Sequence, residues 1–120
     1  MKKVFLVISP GRESTEALHF ALHKAKEMKG GLSLVYIGQD RDGVKKKIEE
    51  IEKQARTFQV SCESELKSGD YFEICGELSR REDAALMVVT EKRGSFLKKV
   101  FEGSEANKLK DRVVCELKIY

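Results

Sequence analysis

The sequence predicts an α/β domain: a five-stranded parallel sheet of strand order 3-2-1-4-5, covered by helices on both faces in three layers. Three observations predict it. Two short runs, VFLVI (4–8) and ALMVV (85–89), are apolar without interruption, as parallel strands are when both faces are covered. Segments with helical spacing of apolar residues separate the strand-like runs, giving a β-α-β-α-β-α-β-α-β alternation. Two further strand-like runs alternate apolar with polar residues, the pattern of strands with one wet face at a sheet edge.

The elements follow in order. VFLVI comes after two lysines and superficially suggests a signal peptide. Its apolar part is too short and β-branched, and no small-residue cleavage site follows. It is read as the first strand, and the protein as cytoplasmic. In the first helix Ala17, Ala21, Ala25 and Met28 share one face, with Leu18 beside them. LSLVYI (32–37) is the second strand. Val44, Ile48, Ile51, Ala55 and Phe58 form the stripe of the second helix, with Asp40 or Asp42 expected to cap it. QVSCESEL (59–66) is the third strand, its Val60, Cys62 and Leu66 interleaved with polar residues. Asp70 is an N-cap for the third helix and Glu73 the return half of a capping box. Tyr71, Ile74, Cys75 and Leu78 make that helix's apolar side, and Gly76 in its interior costs about 1 kcal/mol against alanine. ALMVV follows, then a short helix from Ser104, then VCELKIY (114–120). The apolar strands belong in the middle and the alternating ones at the edges. Right-handed crossovers then give the order 3-2-1-4-5.

Composition narrows the function. At 120 residues the chain reads as one domain, 1–120. The net charge is +3, with acidic and basic residues intermixed. That is a solvated surface, and no aromatic residues interleave with basic ones as a nucleic-acid stacking surface requires. No apolar stretch approaches the roughly 20 residues of a membrane span. Cys62, Cys75 and Cys115 are scattered, odd in number and without a C-x-x-C pair, which predicts reduced thiols. His19 and His23 lie one helical turn apart, a metal-ligand spacing. They point away from the alanine stripe and have no third ligand, so exposed surface histidines are expected rather than a metal site. No histidine is placed to activate Ser9, and Cys75 and Cys115 fall on apolar faces. A catalytic set is not expected.

In the order 3-2-1-4-5 the winding reverses between the first and fourth strands, and ligands of such sheets sit at the carboxyl ends flanking that point. Those ends are Ser9-Pro10-Gly11 and Thr90 onward. The second opens the stretch TEKRGSFLKKVFEGSEANKLK (90–110). Gly103 can take a turn there, and Ser104 can cap the following helix and face an anion. Lys92, Arg93, Lys98 and Lys99 bring positive charge.

These residues carry a resemblance. STEALHFALHKAKEMKGGLSLVYI, KSGDYFEI and LMVVT…GSFLKKVFEGSEANKL…VVCELKIY are similar to the universal stress protein family along the whole chain. The resemblance implies the fold above, a stress-response role and a cleft that takes ATP or AMP in some members. Nucleotide-binding members carry a glycine pair and then Gly-Ser or Gly-Thr after the fourth strand. Gly103-Ser104 matches the last pair. The earlier glycines are expected at 93 and 96, where Arg93 and Phe96 stand, and Thr90 replaces a further usual glycine. Ser9 aligns with the family's aspartate, and Ile37 with an apolar residue that packs on the base.

Side chains where backbone should approach phosphate oxygens oppose binding, and a serine lacks the aspartate's charge. The expectation is a cytoplasmic regulatory or interaction module, not an enzyme, that does not bind ATP in the family's usual manner. The alternative is an adenine-nucleotide switch using Gly103, Ser104, Ile37, Ser9, Thr90 and Arg93, with Arg93 able to grip a small anion by its side chain. The resemblance also implies a homodimer through the last strand, involving Val114, Glu116, Leu117 and Lys118. A two-fold axis near Leu117 would place Glu116 opposite the partner's Lys118.

Overall fold

The computed structural model describes residues 1–39, 42–91 and 104–120. The chain runs β1 (Lys3–Ile8), α1 (Thr15–Glu27), β2 (Gly31–Ile37), α2 (Val44–Thr57), β3 (Ser61–Lys67), α3 (Tyr71–Ser79), β4 (Ala84–Val89), α4 (Ser104–Arg112) and β5 (Glu116–Ile119). The strands form one sheet of order 3-2-1-4-5, with every neighbouring pair parallel. Both the predicted order and the predicted edges are present.

β1 lies at the centre because its side chains can be buried on both faces. Val4, Leu6 and Ile8 enter the core beneath α1 and α2. Phe5 and Val7 enter the core beneath α3 and α4. The alanine stripe of α1 is fully buried, and its small side chains let the helix lie close to the sheet. On the other face Ile74, Cys75 and Leu78 of α3 share a core with Met87 and Val89 of β4 and Leu109 of α4.

Helix ends show where local rules hold and where they yield. The Ser14 side chain accepts the Ala17 N–H at 3.2 Å and caps α1. Asp70 accepts the Glu73 N–H at 2.9 Å and caps α3, as expected. The expected aspartate cap of α2 is corrected: Gly43 holds the N-cap position at φ 94° with no side-chain cap bond, and Asp42 is exposed beside it. Asp40 lies outside the described residues. Only glycine takes that backbone angle without strain, so the turn geometry displaced the aspartate.

Gln59 is not the first residue of β3. It adopts φ 62° and ends α2: its N–H donates to the Arg56 carbonyl at 2.9 Å, and the Val60 N–H to the Ala55 carbonyl at 2.9 Å. This double bond is a left-handed helix stop. The same device ends α1, where Lys29 has φ 54° and the Gly30 N–H reaches the Ala25 carbonyl at 2.9 Å. Leu66, expected on the apolar side of β3, is 43% exposed. It pairs with Tyr36 on one side, and as part of an outermost strand it has no strand on the other.

The interior glycine of α3 has a packing reason. A Cβ at Gly76 would stand 3.2 Å from the Arg112 carbonyl oxygen, so α3 and α4 touch there backbone to backbone. One turn on, the buried Ser79 hydroxyl donates to the Gly76 carbonyl at 2.7 Å and accepts the Val114 N–H at 3.0 Å. This serine fastens α3 to the approach of β5. Ser79→Ala leaves the Val114 N–H without its acceptor and should cost about 1–2 kcal/mol. Urea denaturation followed by circular dichroism measures it, and an unchanged midpoint would contradict the assignment.

Candidate functional site

The carboxyl edge of the sheet is built from three aligned strand ends. Val35, Val7 and Val89 form one row across β2, β1 and β4. Tyr36 and Ile8 begin the next row, into which Thr90 continues, and Ile37, Ser9 and Glu91 follow. Alternation along the strands therefore places Thr90 on the α1 side, with Ile8. Ile37 belongs to the α3/α4 core, and Ser9 follows it to that side. Of the sequence-predicted residues, Ile37, Ser9 and Thr90 stand at this edge but do not share one face.

Each is enclosed. Ile37 and Thr90 are both 4% exposed and Ser9 is 6% exposed. Among the described residues the buried Thr90 Oγ1 has no hydrogen-bond partner. The Ser9 carbonyl accepts the Arg12 N–H at 2.9 Å, closing a tight turn after β1. The ladder between β4 and β5 continues past Val89: the Tyr120 N–H donates to the Val89 carbonyl at 2.9 Å, and the Glu91 N–H to the Tyr120 carbonyl at 2.8 Å. Backbone just after β4 is thus committed to the sheet.

Ser104 is the first residue of α4. Gly103 and Arg93 lie outside the described residues, as do Lys92, Phe96, Lys98 and Lys99. The position count also needs a correction. The family pattern places nine residues between its second glycine and the final Gly-Ser. Counted back from Gly103, its first two glycines fall on Thr90 and Arg93, and Phe96 lies in the spacer. The replacing side chains are therefore threonine and arginine.

Sequence reasoning missed Arg12. Its guanidinium lies 4.2 Å from the centroid of the Tyr71 ring and 5.7 Å from that of Phe72. These two rings meet edge to face at 5.4 Å, and the Lys108 ammonium of α4 lies 5.4 Å from the Phe72 centroid. The turn after β1, the first turn of α3 and the middle of α4 thus converge. The available signal was an arginine in the SPGRES turn at the switch point. Phe72, outside the apolar stripe of α3, was a second one.

The thiols are not poised as nucleophiles. Burial pushes the Cys75 thiol up to about 12. Burial, with the Glu52 carboxylate beside it, pushes Cys62 up to about 11. Burial also raises Cys115. A raised pKa keeps the neutral thiol and lowers reactivity. His19 and His23 are both exposed, and the His23 ring packs edge-on against Phe58 at 5.1 Å. Among the described residues no group of three His, Cys, Asp or Glu could hold a metal ion, and no helix is long and apolar enough to cross a membrane.

The residues expected at a dimer interface lie in β5 or, for Val114, just before it. Val114 is 68% exposed, Glu116 and Lys118 are exposed, and Leu117 is half-buried against the α3/α4 core. The Lys118 ammonium lies 5.7 Å from the Phe20 centroid and 5.4 Å from that of Tyr120.

This architecture is that of the universal stress proteins. A universal stress protein in complex with cAMP matches with a TM-score of 0.79 and 16% identity, over 99% of this chain and 95% of that chain. A universal stress protein from Archaeoglobus fulgidus matches at 0.76 and 14%, over 99% and 93%. The universal stress protein from Archaeoglobus fulgidus in complex with dAMP matches at 0.67 and 14%, over 99% and 97%. No family model matches the sequence, and no curated protein sequence does. The chain has the universal stress protein fold.

The thiol environments set a pH dependence. Unfolded thiols ionise near 9.0, whereas the folded Cys75 holds its proton to about 12. The unfolded state therefore binds fewer protons in that window, and stability falls as pH rises from 9 toward 12. Urea midpoints at pH 8 and pH 10.5 should show this fall, and Cys75→Ala should reduce the slope. A midpoint slope identical in the variant would contradict it.

Proposed function

We propose that the chain works as a universal stress protein-like regulatory or interaction module of the cytoplasm, homodimeric through β5, which does not bind ATP in the usual manner of that family. One observation carries the reading. The ladder to β5 runs on to Glu91, so the Glu91 N–H goes to the Tyr120 carbonyl rather than to a ligand. A phosphate cradle needs such donors free and small residues around them. Thr90 is instead buried, and a carboxylate follows it. At the β1 end a serine offers no charge to ribose hydroxyls or a metal.

A second reading has its own support, because two proteins of the same fold are described in complex with cAMP and dAMP. In this reading the chain is an adenine-nucleotide switch. Ile37 packs on the base, Ser9 and Thr90 line the switch point, and Gly103, Ser104 and Arg93 receive the phosphates.

Calorimetric titration with ATP and AMP separates the two. The first reading predicts dissociation constants weaker than about 10 μM, less than about 7 kcal/mol of binding. Tighter ATP binding, weakened by Ser104→Leu, would overturn it in favour of the switch.

The dimer is tested by mass. Antiparallel pairing of two β5 strands about Leu117 sets Glu116 opposite the partner's Lys118 and covers an edge otherwise open to aggregation. Light scattering at micromolar concentration should give twice the 13.6 kDa chain mass, and Leu117→Pro should return it to one. A single-chain mass for the unaltered protein would remove this part.

A further inference from the structure

We infer that the cleft between α1 and α2 binds a small zwitterion with an aliphatic tail, the chemistry of a free aliphatic α-amino acid. The cleft has a volume of about 450 Å³, within the roughly 300–1,000 Å³ of small-molecule sites. Four aliphatic side chains line it: Leu6 and Ile8 of β1, Leu18 of α1 and Ile51 of α2. All four belong to the core on this side of the sheet. Three charged side chains line the same cleft: Glu13 from the turn after β1, and Lys47 and Glu50 from α2. Lys47 and Glu13 form an ion pair that joins α2 to that turn, and their side chains stay 42% and 33% exposed. Among the described residues Glu50 has no ion-pair partner, and it is exposed.

The lining thus offers hydrocarbon and both signs of charge to one small volume. A ligand that answers all three carries an apolar tail, an anion for Lys47 and a cation for the carboxylates. The existing ion pair leaves capacity for it. An ammonium has three donors and a carboxylate about four acceptor sites, so a ligand joins the Lys47–Glu13 pair without displacing it. Simpler amphiphiles answer only part of the lining. A fatty acid sets an anion among two carboxylates, and an alkylamine sets a cation beside Lys47 with no anion to offset it. Charge complementarity of this kind supplies specificity more than affinity. The tail supplies affinity, because methylenes entering the cleft release water from the aliphatic walls. None of the residues of the adenine-nucleotide alternative or of β5 lines this cleft, so the inference stands apart from the nucleotide question and from the dimer.

Free L-leucine is the probe, at matched ionic strength. Three relatives each lack one part: glycine the tail, isoamylamine the carboxylate and isocaproate the ammonium. Proton–carbon correlation spectra of the full chain should show saturable shifts at the Leu18 and Ile51 methyl groups, centred in the millimolar range for leucine. Glycine should bind at least about tenfold more weakly, from the methylenes it lacks. Isoamylamine and isocaproate should each bind several-fold more weakly than leucine. Lys47→Met should weaken leucine several-fold and leave isoamylamine no weaker. Glu50→Gln should weaken leucine and leave isocaproate no weaker. A purely structural role for either residue would not produce that crossed pattern, and methyl spectra unchanged away from the cleft show that each variant is folded. Methyl shifts absent up to about 50 mM leucine, isoamylamine or isocaproate binding as tightly as leucine, or leucine affinity unaltered in both variants would each overturn the site.

Discussion

Everything at the carboxyl edge of the sheet depends on how β1 is wedged between β2 and β4. Six successive residues of β1 pair with β2, and five pair with β4. From Val4 to Ile8 each β1 side chain is driven into one of two cores. Because all three strands are parallel, their carboxyl ends finish side by side. A one-residue slip would turn Val4, Leu6 and Ile8 toward the wrong helices, so hydrophobic burial fixes the register tightly. That register sets Ser9 level with Ile37 and leaves Thr90 one row behind them on the opposite face, and the turn after β1 brings Arg12 to the rings of α3.

The same rigidity limits what the edge offers a ligand. Strand pairing that continues to Glu91 commits its N–H to the Tyr120 carbonyl. Burial of Ser9 and Thr90 turns their small polar side chains into parts of the sheet's rim. Beside this rim the Arg12 guanidinium lies against the rings of Tyr71 and Phe72, and the Lys108 ammonium lies near the second of them. Two proteins of this fold are described in complex with cAMP and dAMP, at 16% and 14% identity to this chain. Likeness of fold therefore says less about ligand than the residues do.

The sequence made much of the fold legible, for identifiable reasons. The uninterrupted apolar runs of β1 and β4 suit strands covered on both faces, and the alternating runs suit strands at the edges. Asp70 announced the head of α3 because its cap requires nothing beyond three neighbouring residues. The failures came where distant contacts or turn geometry decide. Gly43 replaced an aspartate as the start of α2 because the chain needed a left-handed turn. Gln59 looked like strand and proved to be a helix stop, since its residue type carries no strong signal for that angle. Gly76 looked like a local cost, and its reason lay in Arg112, more than thirty residues on.

The site was half legible. Topology alone located the edge and brought Ser9 and Thr90 to it. It could not tell which side of the sheet each would face, nor that Arg12 would reach the first turn of α3. Pairings of that kind arise from packing between elements, and no periodicity records them. The proposed module does not hold an adenine nucleotide at this edge by its backbone, and chromatography of the acid-released fraction from freshly purified protein tests that directly. No adenine nucleotide above trace level is expected, and an adenine nucleotide released in equal number to the chains would overturn the proposal.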